Sequence, residues 1–167
     1  DPSAVDAARP LLEAAQALGA RFVIATVEDD DPVRRVDTLA RLADLAAKHD
    51  TSIAVEFMLF SAARDLATCV DIVQQAGAAN VSVLADSLHL LRSGGHPDDL
   101  RAYPPRLFPY AQICGAEGAG AAADPEEARA EGVKARLLPD EGDLLDQLDV
   151  DALVIPGGES TTMSKLA

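Results

Sequence analysis

The sequence predicts an α/β fold built on a parallel sheet, and three observations carry that expectation. Short apolar runs alternate with segments of helical periodicity along the 167 residues. The runs start near residues 21, 52, 81 and 110, about every 30 residues, the pitch of one strand–helix unit. They are also close to continuously apolar, as strands are when both faces of a sheet are covered. A closed eight-unit barrel takes ~250 residues, so this length holds about five units, a partial (β/α)8 barrel.

The elements follow in chain order. Leu11, Ala15 and Leu18 stand at helical spacing and Gly19 follows as a stop, which predicts a helix over 4–18. Residues 21–26 are the first strand. Asp31-Pro32 supplies a capping residue and a first-turn proline ahead of Val33, Val36, Leu39, Leu42, Ala43 and Ala46, a second helix. Residues 52–58 are the second strand and 65–78 a helix with Leu66, Val70 and Val73 on one face. Residues 81–85 are the third strand, followed by a helical patch at 88–91 and another opened by Pro97-Asp98-Asp99. Residues 110–114 are the fourth strand. An Ala/Gly/Glu-rich loop with a frayed helix is expected over 115–132, a short helix over 143–148, and a fifth strand over 152–155.

Composition narrows the function. Twenty-eight acidic against 14 basic side chains give a net charge of −14, and the only adjacent basic pair, Arg34-Arg35, follows three aspartates. Phosphate backbones reward clustered Lys and Arg, so no nucleic-acid partner is expected. No apolar run approaches ~18 residues, so no membrane span is expected either. The N-terminal Asp-Pro-Ser-Ala carries neither a basic region nor a signal-peptide apolar stretch, and the absence of a leading Met suggests trimming. Two cysteines, Cys69 and Cys114, are too few for a disulfide framework and suit a reducing, cytoplasmic setting. Both are expected to be small buried apolar residues.

Polar residues interrupt the apolar runs near strand ends. Strand alternation places Ala54, Glu56 and Met58 on one face and Ile53, Val55 and Phe57 against the helices. Glu56 then points inward, where an unpaired carboxylate costs several kcal/mol. It needs a metal, a cation or a raised pKa; a structural ion pair with an arginine is the bland alternative. Asp86-Ser87-Leu88-His89 follows the third strand, and an aspartate at a strand end with an imidazole one turn later can converge on a divalent metal and its ligand. The competing reading makes Asp86 a helix cap and His89 a solvated helical residue. Gln112 shares a strand face with Tyr110 and Cys114 and is either an inward oxygen ligand or a satisfied core amide. His96 precedes Pro97 as a helix cap, and His49 ends a helix, where a cation suits the dipole. Near the C-terminus, Gly157, Gly158, Glu159 and Ser160 form a glycine turn between strand and helix whose backbone N–H groups can hold an anion. The spacing is not that of a Walker loop.

These residues carry two resemblances. Residues 8–148 resemble the sugar phosphate isomerase/epimerase family, the xylose-isomerase-like TIM barrels. The resemblance rests on Ala54-Val55-Glu56-Phe57-Met58, on Leu84-Ala85-Asp86-Ser87-Leu88-His89 with Arg92-Ser93-Gly94-Gly95, on Tyr110-Ala111-Gln112-Ile113-Cys114, and on Arg136-Leu137-Leu138-Pro139-Asp140-Glu141-Gly142-Asp143. It implies Mn²⁺ or Mg²⁺ at the barrel mouth. Glu56 matches the first carboxylate ligand and acid/base, Asp86 the second ligand, and His89 a substrate-touching histidine. Gln112 stands where many members have a ligand histidine. The implied chemistry is proton transfer beside a sugar carbonyl through an enediolate, on a sugar or sugar phosphate. The family's first three strands and its closing strand, which brings a second catalytic glutamate, have no counterpart here.

The last 17 or so residues instead resemble the glutaminase subunit of pyridoxal 5′-phosphate synthase, whose Pro-Gly-Gly-Glu-Ser loop helps bind glutamine; Gly157, Gly158, Glu159 and Ser160 match it. The nucleophilic cysteine of that family has no match. Two regions are therefore expected, a partial barrel over 1–148 and a strand-loop-helix tail over 149–167, the chain being composite or truncated. Unpaired sheet edges would call for a homo-oligomer. Three rivals remain: an amidotransferase fragment, which would release ammonia from glutamine; an endonuclease-like phosphodiesterase, which the acidic charge disfavours; and a non-catalytic α/β fragment, which would fold without binding Mn²⁺.

Overall fold

The computed structural model describes residues 2–113. Four parallel strands, β1 (Phe22–Ala25), β2 (Ser52–Glu56), β3 (Val81–Asp86) and β4 (Ala111–Gln112), pair in sequence order β1-β2-β3-β4. Helices separate them: α1 (Pro2–Ala7) and α2 (Arg9–Leu18) precede β1, α3 (Pro32–Ala47) joins β1 to β2, and α4 (Leu66–Ala76) joins β2 to β3. After β3 come α5 (Ser87–Arg92) and two 3₁₀ turns, Pro97–Ala102 and Pro105–Leu107. This is the expected partial α/β barrel, a half-barrel with its helices on one side. The expected elements beyond residue 113, including the fifth strand and the glycine loop of the tail, lie outside the described residues.

Local chemistry sets the helix ends. Asp31 accepts hydrogen bonds from Val33 N and Arg34 N at 3.0 and 2.9 Å, and Pro32 in the first turn needs no partner for its nitrogen. Asp65 caps α4 through Thr68 N at 2.7 Å, and Gly77 ends it in the left-handed region at φ 66°. The histidine expected to cap the next turn does so: His96 Nδ1 accepts from Asp98 N while Asp99 accepts from His96 N. His49, just past α3, faces Gln16 of α2 at 3.1 Å. Arg34, of the one basic pair, forks onto Asp29, with Nη2–Oδ1 at 2.6 Å, so it is spent on local pairing.

The first helix departs from expectation. A single helix over 4–18 is divided at Ala8, because Pro10 two residues on lacks an N–H and its ring clashes with the carbonyl four residues back. The buried stripe of α2 is Leu12 and Ala15, whereas Leu11 and Leu18 are exposed.

The core lies between sheet and helices. Ile53, Val55 and Phe57 from β2 and the residue after it, with Val81 and Val83 from β3, meet Leu39, Ala43 and Ala46 of α3 and Leu66, Cys69, Val70, Ile72 and Val73 of α4. Each large aliphatic side chain fully buried there contributes about 1.5–3 kcal/mol. Cys69 is not in a disulfide; its thiol approaches the Val55 carbonyl oxygen at 3.6 Å, and burial pushes its pKa far up. It is the inert apolar cysteine expected, while Cys114 lies outside the described residues. No helix among the described residues is long and apolar enough to cross a membrane.

Past α5 the chain turns sharply. Gly94 adopts φ 82°, and a Cβ on Gly95 would fall 2.6 Å from Leu90 Cδ1 and 3.0 Å from the Leu90 carbonyl oxygen. Leu90 is itself buried.

Candidate active site

The other face of the strands forms the concave side of the half-barrel. Strand register fixes what lies there: Ile24 pairs with Ala54, Ala54 with Ser82, Glu56 with Leu84, and Asp86 with Gln112. Because side chains alternate, this face carries Phe22 and Ile24 from β1, Ala54 and Glu56 from β2, Ser82, Leu84 and Asp86 from β3, and Gln112 from β4. The polar members Glu56, Asp86 and Gln112 are the last residues of three neighbouring strands. That is the end at which barrel enzymes place their chemistry.

Glu56 points inward as its parity predicts, with its side chain 15% exposed. Burial pushes its carboxyl up to about 7, and the neighbouring Asp86 charge adds to the effect. Asp86 is buried, and its Oδ1 accepts from Leu88 N at 2.8 Å and His89 N at 3.2 Å. It is therefore the cap of α5, as one reading expected, and also a strand-end carboxylate on the concave face. With α5 starting directly after β3, His89 folds back over the strand ends. Its Nε2 lies 3.9 Å from Glu56 Oε1 and its side chain is 13% exposed, unlike a solvated helical residue. Burial lowers the His89 pKa, with the Asp86 charge acting in the opposite sense. Burial thus favours the neutral form of both partners.

Gln112 is buried beside Asp86. Glu56, Asp86, His89 and Gln112 are thereby assembled at one end of the sheet. Gly157, Gly158, Glu159 and Ser160 lie outside the described residues.

The donor set has the chemistry of a hard divalent cation site: two carboxylates and an amide oxygen. The two carboxylates also lie close enough for the Asp86 charge to raise the Glu56 pKa, a repulsion that a cation between them would relieve. Among the described residues, however, no three His, Cys, Asp or Glu side chains converge closely enough to hold a metal. Type and charge of the donors fit; the described chain supplies only part of a ligand set.

Two aromatic contacts were not read from the sequence. The Phe60 ring stands edge-on to the His89 imidazole, centroids 6.1 Å apart at 79°. Phe60 lies in the loop after β2, which folds back through bonds from Met58 N to Ala63 O and Ala62 N to Val27 O. No periodicity marks such a loop. The Phe22 ring meets that of Tyr110, centroids 5.1 Å apart at 44°, linking opposite edges of the sheet. The sequence already set Tyr110 on the strand face of Gln112, and parity extended from Ile24 would have added Phe22.

Comparison with known proteins agrees with this architecture. Among solved structures, a xylose isomerase domain containing protein from Salmonella typhimurium LT2 matches with a TM-score of 0.71 at 20% identity over 99% of this chain and 64% of its own. The IolI protein with a bound zinc atom matches with a TM-score of 0.64 at 21% identity over 71% and 46%. D-psicose 3-epimerase with D-tagatose, from Clostridium cellulolyticum H10, matches with a TM-score of 0.56 at 16% identity over 73% and 49%. The chain spans less than two thirds of the length of each, and at these identities the likeness establishes the fold. No curated protein matches. Residues 2–150 match the family described as xylose isomerase-like TIM barrel. With the parallel half-barrel, its strand-end polar residues and a family match over most of its length, the chain belongs to the xylose isomerase-like TIM barrel family.

Proposed function

We propose that this chain carries part of the site of a divalent-metal-dependent isomerase or epimerase acting on a sugar or sugar phosphate. The observation that carries the reading is Glu56: an inward carboxyl at a strand end, pushed up to about 7, with Asp86 beside it and His89 at 3.9 Å. A carboxyl buried at a strand end beside a second carboxylate is placed both to bind a cation and to pass a proton to a substrate held there. The zinc in IolI and the epimerase named among the similar folds support the same reading.

In this reading Glu56, Asp86 and Gln112 hold Mn²⁺ or Mg²⁺. When bound, the metal supplies polarisation of the sugar carbonyl and stabilises the oxyanion that develops. Glu56 takes the proton from the carbon next to the carbonyl and, in an isomerisation, returns it to the neighbouring carbon on the same face; epimerisation at one carbon would need a second acid facing the opposite side. His89, kept neutral by burial, hydrogen-bonds a substrate oxygen through Nε2. Asp86, through its bonds to Leu88 N and His89 N, fixes where α5 begins and so where that imidazole lies. Phe60 packs on the imidazole and limits its contact with water.

Thermal unfolding with and without excess Mn²⁺ tests the site. At ~100 times its Kd a ligand adds about 2.7 kcal/mol, several degrees in Tm for a chain of this size. The expected result is a Mn²⁺-raised Tm in the native chain and an insensitive one in Glu56→Gln. A native transition that ignores Mn²⁺ overturns the reading.

A further inference from the structure

A histidine that works on a substrate generally has its other ring nitrogen hydrogen-bonded, which fixes both the tautomer and the plane of the ring. Among the described residues nothing makes such a bond to His89. Glu56 Oε1, 3.9 Å from Nε2, is beyond hydrogen-bond distance. The ring contact that remains is with Phe60, centroids 6.1 Å apart at 79°, inside the range of about 4.5–7 Å over which perpendicular ring pairs attract. The plane of this imidazole is therefore set by packing, and the flat group that packs on it is Phe60.

Phe60 can set that plane because its own place is fixed. The chain after β2 closes a tight turn in which Met58 N donates to Ala63 O at 3.0 Å. Ser61 donates to Met58 O twice, from its N–H at 2.9 Å and from its hydroxyl at 3.0 Å. Ala62 N donates to Val27 O at 2.7 Å, which ties the turn to the segment after β1. Ser61, Ala62 and Ala63 are buried, so breaking these bonds is costly, while Phe60 within the turn is half-buried at the same end of the sheet as the site. The first three strand units thus meet at one imidazole: β1 through Val27, β2 through the turn, β3 through the start of α5.

We propose that Phe60 is a positioning residue of the site: its ring, carried on the turn over residues 58–63, holds the His89 imidazole in the orientation that aims Nε2 toward Glu56 and a substrate oxygen. This role rests on the isomerase reading and adds to it the residue that takes the place of a hydrogen bond to the ring. It is distinct from keeping water off the imidazole. A leucine at residue 60 also excludes water, but it has no planar ring to set against His89.

Phe60→Leu and Phe60→Tyr, each alone and combined with His89→Gln, test the role. NMR relaxation of the imidazole ring carbons in the metal-free chain reads how tightly each ring is held on the picosecond-to-nanosecond scale. The chain has three histidines, and His89 is told from His49 and His96 by its loss in His89→Gln. Expected is a rigid His89 ring in the native chain and in Phe60→Tyr, and a mobile one in Phe60→Leu, with His49 and His96 unchanged. D-tagatose and D-psicose are then titrated with Mn²⁺ present, following heat of binding. Expected is a sugar Kd about three- to tenfold weaker in Phe60→Leu, recovered in Phe60→Tyr, with Mn²⁺ affinity unaltered. Adding Phe60→Leu to His89→Gln should cost nothing further, because the effect runs through the imidazole. An equally rigid His89 ring in Phe60→Leu, equal sugar affinity, or a loss that persists in the His89→Gln background overturns the positioning role and leaves the isomerase reading standing. Binding of Mn²⁺ but of neither sugar overturns the isomerase reading, and the positioning role falls with it.

Discussion

The two faces of one sheet carry opposite kinds of side chain. Toward the helices, Ile53, Val55, Val81 and Val83 are apolar and at most 6% exposed. Toward the barrel axis, the same strands carry Glu56, Ser82, Asp86 and Gln112 among Phe22, Ile24 and Leu84. Alternation along each strand separates the residues by a single position, yet one face holds the fold together while the other spends stability on buried carboxylates. Stability and chemistry are thus interleaved residue by residue rather than confined to separate regions.

The contrast is broken most severely from the helix side. Phe57→Ala empties a fully buried position among the core residues, and a loss of about 3–5 kcal/mol is expected from chemical denaturation. A loss under 1 kcal/mol would show that the helix face is not the main source of stability. On the axial face the effect depends on pH. The Glu56 carboxyl is raised from 4.5 to about 7 in the folded chain, so between these values the folded state binds more protons than the unfolded one. The Glu56 contribution to the stability of metal-free protein should therefore fall as pH rises through that window and level off above it, by on the order of 2–3 kcal/mol, while His89, whose pKa burial lowers from 6.5, contributes in the opposite sense below that value. Glu56→Gln removes the falling part of the profile and leaves the His89 part, and saturating Mn²⁺ should flatten the Glu56 part; urea midpoints from pH 4 to 8 read all three. The smallest effect belongs to an element end. Asp65→Ala deletes the cap of α4 and should cost about 1 kcal/mol with an unchanged m-value, whereas Asp65→Asn should recover most of it.

What could be read from the sequence follows the same division. The period of about 30 residues and the strand parities foretold the parallel sheet and the inward Glu56, because both depend on local alternation. Asp31 and His96 declared helix starts by residue type, again a local matter. Where distant segments meet, the sequence was silent. Leu11 and Leu18 are as apolar as Leu12, and only packing against the rest of the chain selects the last for burial. The Phe22–Tyr110 contact joins residues 88 positions apart in sequence, and it depends on the curvature of the whole sheet. Glu56 and His89 lie on consecutive strand–helix units, yet their 3.9 Å approach arises from α5 starting without a linker, a detail of one cap.

The turn after α5 also has a consequence for how this stretch can vary between relatives. With residue 94 in a left-handed conformation and no room for a side chain at residue 95, the helix can neither lengthen by a turn nor accept an alanine where it stops. Leu90, pinned in the core on one side and by Gly95 on the other, transmits that stop to the helix one turn upstream, where His89 sits. A two-residue glycine stop thereby sets the reach of an imidazole, and drift at either position would be felt as a misplaced histidine before it was felt as a broken loop.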